Sequence, residues 1–229
     1  MLHLENIRVR QGSFTLSAHL TIAKGARVAL MGASGSGKST LLSTLSGFLW
    51  PDAGRITMAG ADVAKTPVAD RPISILFQDG NLFPHLSVFD NVALGIRPNL
   101  KLGSEDERRV TRALTQVGLE GMEQRKPSAL SGGQQSRVAL ARMLLRDKPV
   151  ALLDEPFSAL DPGLRREMLS LVRKLCDETG QTLIMATHDL RDAERLCDRV
   201  LLLDDGKVVL DAPLAEAVAN NAEPLRPWM

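Results

Sequence analysis

Two hundred and twenty-nine residues, 44% hydrophobic and 24% charged, make one ordinary domain, or one domain with an inserted subdomain. That balance excludes a disordered chain, a collagen-like chain and a mini-protein stapled by disulfides. Lys plus Arg (28) almost cancels Asp plus Glu (27), and aromatics are 3% with no tyrosine, so neither a bulk positive field nor a base-stacking platform argues for nucleic acid as a partner.

No stretch approaches eighteen consecutive apolar residues, so no membrane span is expected. Met1 to Arg10 carries His3, Glu5, Arg8 and Arg10 among its apolar residues, which does not suit a signal peptide. Cys176 and Cys197 form no CxxC and read as two reduced thiols rather than metal ligands.

In chain order, Arg27 to Met31 reads as a buried strand running into a glycine-rich loop, Gly32 to Thr40. Leu41, Leu42, Leu45 and Leu49 then recur at helical spacing as far as Pro51. Gly54 to Gly60 and Ile73 to Phe77 read as strands, the second ending at Gln78. From about Ser87 to Arg146 the pattern is helical. Val110, Leu114 and Val117 share a face behind an expected capping box of Ser104 and Glu107, and a second helical run follows Gly132-Gly133. Val150 to Leu153 is an apolar strand closed by Asp154-Glu155-Pro156. A helix from about Gly163 to Asp177 comes next, then a strand, Thr182 to Thr187, that delivers His188. Asp204-Asp205-Gly206 is a hairpin signal between Val200–Leu203 and Lys207–Leu210. The pattern predicts an α/β core with parallel strands, an α-helical subdomain inserted at about 80–140, and antiparallel β additions toward the termini.

Gly32-x-x-x-x-Gly37-Lys38-Ser39 is a phosphate-loop pattern with a strand before it and a helix after it. Its backbone N–H groups make a nest for anionic oxygens at the positive end of a helix. The nest is formed by Gly32, Ala33, Ser34, Gly35, Ser36 and Gly37. Lys38 adds a full charge against the β- and γ-phosphates, and Ser39 offers a hydroxyl to Mg²⁺. Hydrolysing a nucleotide also needs a metal tether and a group that orients water. Asp154 and Glu155 end an apolar strand, where adjacent residues point to opposite sides. Asp154 is the expected metal-side residue and Glu155 the expected general base; taken alone, the pair also reads as two solvated acids. Leu130-Ser131-Gly132-Gly133-Gln134 at a helix start reads as a second anion site. Two phosphate-reading helix ends with one phosphate loop suggest that two chains share nucleotides.

With these motifs in order, the chain resembles the ATP-binding cassette (ABC) transporter ATPases over essentially its whole length. Gly32 to Thr40 resembles Walker A, Val150 to Glu155 Walker B, and Leu130 to Gln134 the cassette signature. Gln78 fits the Q-loop, Ser158-Ala159-Leu160-Asp161 the D-loop and His188 the switch histidine. The resemblance implies a P-loop NTPase (RecA-like) core, an ATP hydrolase using ATP and Mg²⁺, and a head-to-tail homodimer. ATP would lie between the Walker A of one chain and Ser131, Gly132, Gly133 and Gln134 of the other. His188 would touch the γ-phosphate, and Gln78 would join Ser39 and Asp154 at the metal. Gln11 falls where the family usually places an adenine-stacking aromatic, with Phe14 as a possible substitute.

The family implies a membrane permease as partner, which places the chain peripherally on the cytoplasmic face of the bacterial inner membrane. Leu82, Phe83, Leu86, Val88 and Phe89 are then either an exposed docking patch or the helical subdomain's own core. The run Leu76 to Gly95, with Pro98, Leu100, Lys101 and Leu102, is most similar to the ATPase subunits of bacterial thiamine importers. That likeness implies thiamine or its phosphates as cargo, and indirectly a periplasmic binding protein. An importer for another small molecule is the alternative. A DNA-repair ATPase of the superfamily lacks support, because no heptads separate phosphate loop and signature. A non-hydrolysing module would not need Glu155, and a small-molecule kinase would not need the signature.

Overall fold

The computed structural model describes residues 1–77, 81–158 and 160–229. Its strands and helices are, in chain order, β1 (Leu2–Gln11), β2 (Phe14–Ile22), β3 (Arg27–Met31), α1 (Lys38–Ser46), β4 (Ala53–Met58), β5 (Ala61–Asp62) and β6 (Ile73–Leu76). They continue with α2 (Val88–Ala93), α3 (Ser104–Gln116), α4 (Gly132–Leu145), β7 (Val150–Asp154), α5 (Pro162–Thr179) and β8 (Thr182–Ala186). The last are α6 (Leu190–Leu196), β9 (Arg199–Asp204), β10 (Lys207–Pro213) and α7 (Leu214–Ala219). One sheet takes all the strands in the order β5-β4-β1-β2-β10-β9-β3-β8-β7-β6. From β9 to β6 it is parallel. From β5 to β2 it is antiparallel. β10 joins the two halves, antiparallel to β9 and touching β2 through the single pair Lys207↔Ser17.

The parallel strands are almost wholly apolar inside, with buried Ser74 of β6 the exception, because both faces are covered. Alternation divides their side chains. Val28 and Leu30 of β3, with Val150 and Leu152 of β7, face α1 and the antiparallel strands in one core. Ala29, Met31, Ala151 and Leu153 face the helices in the other core. Between β6 and β7 the chain forms α2, α3 and α4, the helical insertion that the sequence predicts into a P-loop NTPase core.

Two local expectations shift. The α1 helix stops at Ser46, not near Pro51, because the Gly47 N–H turns back to Ser43 O at 3.0 Å. The α3 N-cap is Gly103, one residue before the expected Ser104. Asp106, not Glu107, reaches back, accepting from the Gly103 N–H at 3.3 Å. Asp106 is held for this by Arg97, whose Nε lies 3.1 Å from the carboxylate, and that contact pulls its pKa below the usual range.

Arg71 is fully buried, with no sequence pattern to announce it. Its guanidinium donates to Thr44 O and Leu45 O at 2.7 Å each, Thr66 O at 2.9 Å and Ala64 O at 3.2 Å. Two of these carbonyls belong to the last turn of α1, so the cation closes the helix whose other end completes the phosphate loop. Burial pushes the guanidinium pKa down. Replacing Arg71 with Met strands the carbonyls and should cost about 3 kcal/mol. The melting temperature should fall by roughly 6–12 °C; Arg71→Lys should fail to restore it, since one ammonium cannot span the fork. Differential scanning calorimetry checks both.

Candidate active site

The parallel register places the functional residues. Leu30 of β3 and Asp154 of β7 both pair with Ala186 of β8, so the three strands end level. Hydrogen bonds continue past their ends: the Glu155 N–H donates to Ala186 O at 3.1 Å, and the Thr187 N–H to Leu30 O at 3.2 Å. Phosphate loop, acidic pair and His188 therefore emerge side by side at the carboxyl edge of the sheet, where open α/β sheets bind ligands.

Two glycines of the loop have steric reasons to be glycine. Gly32 has φ +148°, and a Cβ there would fall 2.3 Å from Leu203 O and 2.5 Å from Ser36 Oγ. Gly37 has φ +108°, and its Cβ would meet the Phe14 ring at 2.9 Å. The Gly206 N–H, in the β9–β10 turn, donates to Ser36 O at 3.0 Å and pins the loop from the other side. Helix α1 begins at Lys38 without a side-chain cap and with no acid in its first turn. Its free N–H groups and positive dipole end therefore face outward for an anion. The Lys38 ammonium donates to Gly32 O at 2.7 Å and Ala33 O at 3.0 Å. Burial pulls its pKa down, opposed by the charges of Glu155 and then Asp154.

The acidic pair separates by a mechanism other than strand alternation. β7 ends at Asp154, and Glu155 takes a left-handed φ of 44°. Asp154 keeps its place in the pleat, while the turn sets Glu155. Burial raises the Asp154 pKa first, with the Glu155 charge adding to it and Lys38 opposing. Glu155 Oε2 lies 3.1 Å from His188 Nδ1. His188 is set by its neighbours: the Asp189 N–H donates to Thr187 Oγ1 at 3.1 Å, and Asp189 Oδ1 caps α6 through the Arg191 N–H at 2.8 Å. Arg165 of α5 grips Asp192 of α6, its Nε 2.6 Å from Oδ2, and ties the two helices behind this turn.

A cavity of about 670 Å³ is lined by the loop from Gly32 to Thr40 except Ser36, together with Glu155, His188, Gln11, Phe14 and Trp228. Ser36 is buried beneath it. Gln11 accepts from Thr40 Oγ1 at 3.1 Å, while Phe14 supplies the aromatic wall at that end, packed on Gly37. Asp154 is half-buried beside Glu155 and absent from the lining. Gln78 lies outside the described residues, as does Ala159 of the expected D-loop.

The signature residues stand elsewhere: among the described residues, none from Ser131 to Gln134 lines this cavity. They form the N-terminus of α4 as a capping box. Ser131 Oγ accepts from the Gln134 N–H at 3.3 Å, and Gln134 Oε1 accepts from the Ser131 N–H at 2.9 Å. The two glycines differ: Gly132 opens to free space, whereas a Cβ on Gly133 would fall 2.4 Å from Leu164 Cδ2 of α5.

Of the expected docking patch, Val88 is core, while Leu82 and Phe89 pack against it. Phe83 is 46% exposed, with its backbone N–H bonded to buried Asn91 at 2.8 Å and the Arg142 guanidinium 5.9 Å from its ring centroid. The sequence pattern does not single out Phe48 and Trp50, 53% and 59% exposed, which stand just past the α1 cap. Nor does it single out Trp228.

The ABC transporter family model matches residues 16–158. The chain is 49% identical, over all of its length and 99% of the relative, to the "Thiamine import ATP-binding protein ThiQ" of Cereibacter sphaeroides. It is 47% identical to the protein of that name in Yersinia pseudotuberculosis, over 97% of this chain and 94% of the relative. Among solved structures, cbiO1 from Clostridium perfringens, part of the ABC transporter complex cbiONQ, superposes with a TM-score of 0.86 at 33% identity, covering 99% of this chain and 93% of that one. The ATP-binding cassette MJ0796, dimeric and bound to ADP and Pi in a post-hydrolysis state, superposes with a TM-score of 0.82 at 32% identity, covering 93% and 99%.

Gly32→Ala drives a methyl group into the Leu203 carbonyl and should displace the loop from its cradle. An ångström of misplacement at a reacting centre costs about a hundredfold in rate. ATPase kcat/KM should fall by about that factor, as steady-state phosphate release would measure.

Proposed function

The chain belongs to the ABC transporter family, and from that premise we propose that it is the ATP-hydrolysing subunit of an importer for thiamine or its phosphates. The carrying observation is the Glu155–His188 contact at 3.1 Å on the rim of the phosphate loop. A carboxylate touching an imidazole beside an anion nest is placed to handle the proton of an attacking water. The names and near full-length identity of the relatives support thiamine as cargo.

In this reading the loop N–H groups and Lys38 hold the β- and γ-phosphates of ATP. Glu155 accepts the proton of a water whose oxygen bonds to the γ-phosphorus as the bond from that phosphorus to the bridging oxygen breaks, with ADP and phosphate as products. His188 orients Glu155 and contacts the γ-phosphoryl oxygens. The Ser39 hydroxyl and the Asp154 carboxylate are hard oxygen donors that suit Mg²⁺. Both would hold it, with Gln78 as an expected third donor; when bound, Mg²⁺ neutralises charge on the phosphates. Phe14 takes the adenine-facing position that Gln11 cannot fill.

Ser131, Gly132, Gly133 and Gln134 act on the nucleotide of a second copy. Their absence from the wall of their own cavity and the dimeric state of MJ0796 support this. A two-fold pair buries the same face on each chain. Because ATP binds the closed pair, binding favours closure and hydrolysis favours release.

The helical block at about 80–140 would be the subdomain that receives a permease. Phe83 and Phe48 offer it exposed aromatic surface. Among the described residues no helix is long and apolar enough to cross a membrane, which fits a peripheral subunit on the cytoplasmic face of the inner membrane. A periplasmic binding protein would deliver the cargo.

Glu155→Gln keeps the shape and removes the base. It should lower ATP turnover by 10²–10⁴-fold while retaining ATP affinity, and should abolish uptake of radiolabelled thiamine into vesicles carrying the permease. Undiminished turnover would remove Glu155 from its role. Uptake of a different solute by the wild-type complex, with none of thiamine, would overturn the cargo.

A further inference from the structure

One side chain in the cavity wall is remote in sequence from every motif. Trp228 ends the 3₁₀ turn Glu223–Trp228, which runs beside β10. Leu225, three residues earlier, is fully buried in the helix-side core. In a 3₁₀ turn, residues i and i+3 eclipse, so Leu225 anchors the face on which Trp228 lies. Pro224 and Pro227 fix φ at two positions of the turn. The Leu225 N–H donates to Ala222 O at 2.8 Å, and Arg226 Nε to Asn221 O at 3.3 Å. The indole is half-buried, packed on the core while it also lines the cavity. It is thus a half-buried ring on an anchored turn.

The rest of that wall divides by chemistry. Backbone amides, hydroxyls, Lys38, Glu155 and His188 serve phosphate and water. An indole gives a phosphate little, whereas its flat face suits a purine or a sugar. The residue at the end where the loop meets β1, Gln11, has no ring to offer. We propose that Trp228 is a nucleotide-binding residue that contacts the adenosine part of the bound nucleotide, so that Phe14 and Trp228 together supply the aromatic surface this cavity needs. The proposal rests on reading the cavity as an ATP site.

The test uses the chain's two tryptophans. Trp50→Phe removes the other one, which is strongly exposed and outside the cavity wall. In that protein, ADP should change the emission of Trp228 and shield it from acrylamide, saturating at the affinity found by calorimetry. Inorganic tripolyphosphate should bind without that change. Trp228→Ala should weaken ADP binding by about 5- to 100-fold, leave tripolyphosphate affinity within about twofold, and be partly rescued by Trp228→Phe. Calorimetric ADP binding with silent Trp228 emission overturns the contact and leaves the ATP site standing. So does a change seen only when ATP traps the dimer of the Glu155→Gln protein, which would assign the indole to the partner copy. No ADP binding by calorimetry would overturn the ATP site itself, and the inference with it.

Discussion

The level ends of three parallel strands are the constraint on which the rest of the molecule depends. Leu30, Asp154 and Ala186 sit in one row of the ladder. The three segments that leave these strands must therefore meet: the anion nest from β3, the acidic turn from β7 and the histidine from β8. A slip of one residue in either pairing would turn the side chains of that strand to the wrong face and pull the motifs apart. Burial on both faces is what forbids the slip. The hydrophobic cores are in this sense part of the active site.

In the proposed reading the same edge supplies only half of a nucleotide site. The α4 N-terminus, capped by Ser131 and Gln134 and proposed to read phosphate, lies outside the wall of this cavity. Its two glycines divide the labour, with Gly132 left open and Gly133 let into α5 against Leu164. That packing ties the signature helix to the helix just after the acidic turn. A nucleotide held by two copies would load both ends of this connection, which is how hydrolysis at Glu155 can be felt where the helical block meets a permease.

Much of this was legible in the sequence, for physical reasons. Runs such as Val150–Leu153 have no polar face and so must be buried strands. The phosphate loop is a backbone device, and its glycines are visible as letters. Long-range geometry was not legible. Nothing local in Arg71 says that four carbonyls from two segments converge on it. Trp228 reads as a stray aromatic until β10, α7 and the final 3₁₀ turn bring it back to the cavity that the phosphate loop lines. Strand alternation does not carry through the acidic pair, because β7 ends at Asp154 and Glu155 takes a left-handed φ. The α3 cap shifted by one residue because a tertiary partner, Arg97, selected Asp106.

In the proposed reading each catalytic unit is assembled from the phosphate loop of one copy and the signature of another. Mixing two inactive proteins tests it most directly, one carrying Lys38→Ala and the other Gly132→Asp, with ATP turnover read before and after mixing. Shared sites predict that turnover absent from either protein appears in the mixture, because the mixed pair contains one site with an intact loop facing an intact signature. A mixture as inactive as its components, despite demonstrated exchange of chains, would contradict the account.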